Sequence, residues 1–280
     1  MPEVCYNQPD HSYRREPGLN QSSLKKILKS PAHYKSALED KFIPSPAMEI
    51  GTALHCLVLD GQAAFDGQYI RKPDSIKLNT KEGKEWKAQQ GKRKPLIEGG
   101  KDNPWGSIQG MRDSLARLEW YKDTGEDYIK RNEVSIYWDW EGQRCKARLD
   151  SVLEEEGIVL DLKTTDSADP EAFLRKVISL GYDFQAAYYS KAAEVIFGKP
   201  FRFIFVAVER KPPYSVGLFE VDQDMAQEGL EQCMAALQLY KTCSSFDHWE
   251  DYDPTIKKLA YPRWHKKLSA KIVKPVEVLF

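Results

Sequence analysis

The sequence predicts an α/β fold: a central mixed β-sheet flanked by helices, with a mainly helical N-terminal extension. Three observations predict it. From about residue 133, three strand-like segments follow one another across short turns, then come two helical segments, two more strands and a closing helix. That order, βββααββα, is the order of helices packed on a mixed sheet. The strand segments are rich in Val, Ile, Phe, Tyr and Trp, and the helical ones repeat their apolar residues at helical spacing. The composition, 41% hydrophobic and 30% charged over 280 residues, is that of an ordinary globular chain long enough for one sizeable core.

Taken in order, Asn20 to Ser23 supply capping side chains before LKKIL, Pro31 opens a short helix at AHYKSAL, and Pro46 opens a third at AMEIGTALHCLVL. The small residues Gly51, Thr52 and Ala53 would let this third helix pack closely. Residues 71–130 are lysine-rich and contain Gly99, Gly100 and Pro104. They predict an exposed helix near TKEGKEWKAQQGKR, a turn, and an amphipathic helix near WGSIQGMRDSLARLEWY. The basic helix suits a DNA contact and a solvated face equally well. EVSIYWDW alternates as a strand should, Glu141-Gly142 is a hairpin turn, and QRCKARLDSVL is the second strand. EEEG turns the chain again, within residues 151–157 that can form the tip leading into IVLDLKTT. PEAFLRKVISL and FQAAYYSKAAEVIF are helices, the second stopped by Gly198. FRFIFVAVER and YSVGLFEVD are strands, and a helix runs over about 222–241. The chain is read as a single domain: 1–130 mainly helical, 131–245 the α/β core, 246–280 a tail.

Several function classes are excluded. No apolar run approaches the roughly 20 residues of a membrane span, and the N-terminus carries no secretory pattern. Five cysteines with no C-x-x-C pair argue against a disulfide framework, a structural zinc site or an iron–sulfur cluster. The thiols suit a reducing, cytoplasmic compartment. There is no Walker loop and no serine or cysteine triad. A net charge of −1 leaves positive charge to be concentrated in a groove rather than spread over the surface.

The chemistry concentrates in IVLDLKTT. Residues two apart in a strand point the same way, so Asp161 and Lys163 share a face while Leu160 and Leu162 point into the core. The preceding strand ends at RLD and brings Asp150 across the hairpin. Two converging carboxylates make a hard-oxygen site suited to Mg²⁺, and a neighbouring lysine neutralises developing charge or orients a water. Acid-any-lysine also occurs at Glu39/Lys41, Glu82/Lys84, Glu85/Lys87 and Glu209/Lys211. Only at 161/163 does it lie in a strongly apolar strand after a second acid. On residues alone, a structural ion pair between Asp161 and Lys163 stays open.

ARLDSVLEEEGIVLDLKTT resembles the core motif of the PD-(D/E)XK nuclease superfamily, with Asp150, Asp161 and Lys163 in a D-x10-D-x-K spacing. Gln185 and Tyr189 in FQAAYYS resemble the Q-x-x-x-Y helix of the RecB-type branch. GTALHCLVLD with His55, and SSLKKILKSPAHY, resemble the exonuclease domain of the exodeoxyribonuclease VIII (RecE) group. The resemblance implies a restriction-endonuclease-like core and a Mg²⁺ ion, with Mn²⁺ as a possible substitute. Asp150, Asp161, His55 and the backbone carbonyl of Leu162 would bind the ion, and Lys163 would act near the attacking water. Without the resemblance His55 reads as a buried helix histidine. Gln185 and Tyr189 would contact the DNA end or brace the active-site strand, though Tyr189 equally suits the core. Glu133 would sit near the metal, and Lys146 and Arg148 would touch phosphate; ordinary surface pairs explain these three almost as well. Trp138 and Trp140 favour core packing over base stacking. KLAYPRWHKKLSAK near the C-terminus suits DNA backbone, a solvated tail or a subunit contact.

The activity implied is degradation of one strand of linear double-stranded DNA from its end, 5′ to 3′, for recombination in a phage or prophage setting inside a bacterial host cell. Partners implied are DNA ends, a RecT-like single-strand annealing recombinase, and further copies of the chain in a ring of three or four. The rivals are an endonuclease on the same fold and a non-catalytic DNA-binding module.

Overall fold

The computed structural model describes residues 2–39, 43–98, 104–118 and 131–261. The elements are β1 (Glu3–Cys5), α1 (Asp10–Arg15), α2 (Gln21–Lys29), α3 (Pro31–Ala37), α4 (Pro46–His55) continued by a π-helical turn (Cys56–Asp60), α5 (Gln62–Gln68), β2 (Tyr69–Lys72), α6 (Lys81–Gln89), β3 (Lys94–Ile97) and α7 (Pro104–Leu115). Then come β4 (Asn132–Trp140), β5 (Gln143–Leu153), β6 (Ile158–Thr165), α8 (Pro170–Leu180), α9 (Tyr182–Phe197), β7 (Arg202–Glu209), β8 (Val216–Glu220) and α10 (Gln223–Phe246). Among the described residues, six strands form one sheet in the order β1-β4-β5-β6-β7-β8. Only β6 and β7 run parallel, so the sheet is mixed as expected.

Local chemistry explains the boundaries. Asn20 and Ser23 form a reciprocal capping box at the start of α2. Ser45 caps α4 with Pro46 at its first position, and Asp169 caps α8 with Pro170 in the same place. Gly181 and Gly198 end α8 and α9 in the left-handed region. Glu141 and Gly142 both have positive φ, 53° and 78°, the signature of a type I′ hairpin between β4 and β5.

The sheet buries apolar residues on both faces. On one face Val134, Ile136, Trp138, Ala147, Leu149 and Val159 pack against α2, α8, α9 and α10. On the other, Leu160, Leu162, Val206 and Val208 pack against α4, the π-turn and α7. Leu160 and Leu162 therefore point into core, which leaves Asp161 and Lys163 on the side of α9.

Several expectations need correction. The tip between β5 and β6 is the EEEG turn, Glu154–Gly157, and not the whole of 151–157, because Ser151, Val152 and Leu153 pair with Leu160, Val159 and Ile158. The N-terminal part, read as mainly helical, also holds short strands that were not anticipated: β1 joins the main sheet beside β4, and β2 pairs with β3 in parallel. The third helix changes to π-helical winding after His55 rather than running on regularly. Thr52 is exposed and bonds the Met48 carbonyl; the close packing falls to Gly51 and Ala53. The closing helix extends to Phe246. The contact unit that holds the sheet ends at Glu250. In the unit that follows, residues 251–261 contain neither helix nor strand, and 262–271 of KLAYPRWHKKLSAK lie outside the described residues, as do 119–121 of the WGSIQGMRDSLARLEWY segment. No helix among the described residues is long and apolar enough to cross a membrane. The five cysteines are free thiols, four of them buried.

The α9–α10 contact gives a first expected outcome. A Cβ on Gly229 would lie 2.6 Å from the Asp183 carbonyl oxygen and 3.0 Å from Ala187 Cβ. Gly229→Ala must therefore push the two helices apart, at a cost of about 1–3 kcal/mol. Urea unfolding should show a lower midpoint at unchanged slope.

Candidate active site

The site sits where β5 and β6 part. Their pairing ends at Ser151 and Leu160, one residue short of Asp150 and Asp161. Beyond it the Leu162 N–H donates not to a β5 carbonyl but to Asp150 Oδ2, at 2.8 Å. The Asp150 side chain thus takes the place of a ladder acceptor. In a strand the N–H and C=O of one residue face the same neighbour, so the Leu162 carbonyl is directed at the same gap.

From α4, His55 offers Nε2 to Asp150 Oδ2 at 3.1 Å and Nδ1 to the Gly51 carbonyl at 2.8 Å. Both ring nitrogens face acceptors, which only an imidazolium satisfies with two donors. Electrostatics agree. Burial disfavours the charged ring, but the Asp150 carboxylate and the two hydrogen bonds outweigh it and push the His55 pKa up to about 9. In return, against a burial effect of opposite sign, the His55 charge holds Asp150 below the usual carboxylate range.

Asp161 is 1% exposed. Its Oδ1 accepts the Gln185 Nε2–H from α9 at 2.7 Å, and its Oδ2 forms an ion pair with the Lys163 ammonium. Burial pushes its pKa up to about 6, with Asp150 adding to the rise against the lowering pull of Lys163. One carboxylate low and one high is how two acids behave when they share a site. Lys163 is itself held above its usual value by Asp161 and Asp150, which overcome burial, and it lies 5.0 Å from the centre of the Tyr182 ring.

Asp150, Asp161, Lys163, His55 and Gln185 therefore form one connected group, with Leu162 at its centre. Gln185 braces Asp161. Tyr189 packs against Tyr188 and Phe203 as part of the core. Glu133 borders Asp150, and burial and that charge raise its pKa; its carboxylate is paired with Arg148.

The two β5 cations follow the ordinary reading left open above rather than that of a phosphate contact. Lys146 is 6% exposed and donates to the carbonyls of Tyr13, Arg14 and Glu16. Arg148 is tied to Glu133 and donates to the Gln8 carbonyl at 2.8 Å. Both hold residues 8–16 over the sheet through backbone carbonyls. Trp138 and Trp140 are buried against Tyr188 and belong to the core. α6 is a helix as expected, and its lysines take no part in the group.

The residues fit a divalent cation. Oxygen donors and an imidazole converge, and the His55 Nδ1 bond to Gly51 is the backbone contact that orients a ligating ring. Asp161 Oδ2 is buried, and the Lys163 ammonium is its partner. Among the described residues no three His, Cys, Asp or Glu side chains are grouped so as to hold a metal ion by themselves. His55 and Lys163 supply the compensating charge instead. Two nearby groups escaped the sequence pattern: Tyr182, and Lys25 of α2, whose ammonium reaches the end of α8. The only sequence signal for them is the Gly181 break between two helices.

Three comparisons bear on this arrangement. The sequence pattern of a family described as a PDDEXK-like domain of unknown function (DUF3799) matches residues 20–257. No curated protein matches. Among solved structures, that of a protein named "Putative exonuclease" from Eubacterium rectale superposes with a TM-score of 0.61 at 15% identity, covering 95% of this chain and 99% of that one. At that identity the likeness shows the fold.

Proposed function

The chain belongs to the PDDEXK-like domain family, and from that premise and its site we propose that it is a metal-dependent exodeoxyribonuclease acting on the ends of linear double-stranded DNA. The observation that carries the reading is the joining of Asp150, Asp161, Lys163 and His55 in one network at the parting of β5 and β6. Family and fold support a nuclease. End-directed action is supported by the resemblance of the α2 and α4 segments to the exodeoxyribonuclease VIII group and by the name of the structural neighbour.

Asp150, Asp161, His55 and the Leu162 carbonyl would hold Mg²⁺, or Mn²⁺ in its place. When bound, the ion supplies a water of lowered pKa and neutralises charge on the phosphodiester. The chain's own residues do the rest. Gln185 fixes Asp161 Oδ1, so that Oδ2 faces Lys163. The Gly51 carbonyl holds the proton on His55 Nδ1 and leaves Nε2 for the centre. Lys163 provides positive charge beside the scissile phosphate. The apolar cores on either side of β6 keep bulk water from the carboxylates, which strengthens each of these interactions. By the resemblance alone, digestion runs 5′ to 3′ and prepares single strand for a RecT-like annealing partner, in a ring of chains within a phage-infected or lysogenic bacterial cell.

The test uses end-labelled linear duplex and covalently closed circular duplex, each with Mg²⁺ or EDTA. Expected are acid-soluble nucleotides from the linear form with Mg²⁺ only, and an intact circle. A cut circle would move the reading to an endonuclease. Binding without product under any metal would move it to a DNA-binding module.

A further inference from the structure

Lys25 stands at the border of the candidate site without a role in it. Its ammonium donates to the Leu180 carbonyl, the last of α8, at 2.7 Å. Two residues on, Tyr182 lies under the Lys163 ammonium. Leu180, Gly181 and Tyr182 thus carry one lysine at each end, and their outer Cα atoms can be no more than about 7 Å apart. The path of Lys25 is built into the fold. Gly181 has φ 61°, and a Cβ there would come within 2.8 Å of Lys25 Cδ, so the aliphatic stem runs across the bare glycine.

The charge of Lys25 is poorly compensated. Among the described residues it forms no ion pair. The acid that acts on it is Asp183, whose carboxylate accepts the Gln232 amide. Burial and the Lys163 charge both disfavour its ammonium. Two ammonium groups at the two ends of Leu180–Tyr182, one of them hydrogen-bonded to a carbonyl, make a site that an anion stabilises by relieving their repulsion.

We propose that Lys25 and the α8–α9 junction form a second phosphate seat, in which the Lys25 ammonium binds a DNA backbone phosphate adjoining the one at Lys163. This rests on the nuclease reading given above. The opposing account is purely structural: a cation capping the carbonyl end of α8. The two accounts differ in what DNA feels.

The test measures binding of a fluorescent blunt duplex in EDTA, where nothing is cut, across a salt series. Wild type is compared with Lys25→Gln, Lys25→Met and Lys25→Arg, with thermal unfolding of each. Turnover in Mg²⁺ is followed in parallel. If Lys25 holds a phosphate, Gln and Met weaken binding about 3- to 10-fold and lower the slope of log K against log salt by about 1, and Arg restores both. At saturating DNA, kcat should stay within a few-fold of wild type while KM rises. A neutral methylphosphonate placed in turn at the first three phosphates should abolish the difference between wild type and Lys25→Gln at one position. Unchanged affinity and salt slope in Gln and Met variants, with wild type both binding and cutting DNA, would overturn the seat and leave the nuclease reading intact. A folded wild type that neither binds nor cuts any DNA would overturn the nuclease reading and the seat with it. Gln and Met variants are both included so that failure of one to fold leaves the other to decide.

Discussion

Asp161→Asn is expected to lower the turnover of linear duplex DNA by about 10³-fold or more, the scale on which a single electrostatic group at a reacting centre acts, while the protein stays folded. The substitution is nearly isosteric, so the contact with Gln185 can persist through the amide oxygen. What disappears is the negative charge between Lys163 and the position a cation would take. Two effects on stability oppose each other. Burial and Asp150 disfavour the Asp161 charge, so removing it relieves a penalty. Yet Lys163 then loses the partner that keeps it charged in a buried place. The unfolding midpoint should therefore move by only a few degrees. Lys163→Met should cost a similar factor in kcat, and the double substitution should be hardly worse than either single one, because groups that act as a unit are not additive. Single-turnover rates, with unfolding of each variant recorded alongside, decide the matter. Activity within ten-fold of wild type for Asp161→Asn would remove Asp161 from the site.

How much of this arrangement was legible in the sequence depends on how local its causes are. QRCKARLDSVL, IVLDLKTT and PEAFLRKVISL coincide with β5, β6 and α8 to the residue. Their limits are set by nearby chemistry: a hairpin turn, an Asp-Pro cap, a helix-ending glycine. The convergence of Asp150 and Asp161 was legible too, since strand alternation and one short turn suffice to place them. β1, β2 and β3 were not, because three or four residues carry too little period, and β1 finds its partner more than 120 residues away in β4. For Lys146 and Arg148 a phosphate contact and an ordinary pair were both open, for a related reason. Alternation sets them on the face away from the apolar residues, which is ordinarily solvent. Here the segment around α1 covers that face and consumes their hydrogen bonds. For Gln185 a contact with DNA and a brace on the active-site strand were both open, because the choice turned on how α9 crosses β6, a tertiary matter. The π-helical turn after His55 left no mark in the pattern.

Tyr188→Ala is expected to cost about 3–5 kcal/mol, the largest stability loss of any single change considered. Tyr188 is fully buried at the centre of an aromatic cluster, with ring centres 5.1 Å from Trp138 and 5.7 Å from Trp140 and Phe184 stacked nearby. Two large indoles and the strands that carry them cannot collapse into the space an alanine would leave, so the cavity persists and its cost adds to the lost burial. At about 2–4 °C per kcal/mol for a chain of this size, the unfolding midpoint should fall by roughly 10 °C. Tyr188→Phe separates packing from hydrogen bonding. The hydroxyl donates to the Leu19 carbonyl at 2.8 Å, but that carbonyl also accepts the Lys146 N–H at 2.7 Å. It would not be left unsatisfied, and the loss should be about 1 kcal/mol. The two variants also report on the site from a distance. Leu19 bridges to Cys145 on β5 and leads directly into the Asn20 cap of α2, the helix that carries Lys25. Tyr188 sits one turn from Gln185 on α9. If it anchors both, Tyr188→Phe at low temperature should keep kcat near wild type but raise KM for DNA as α2 loosens. An Ala variant that loses less than about 1 kcal/mol would mean that the cluster repacks, and that β4, α9 and α2 are not held together through this ring.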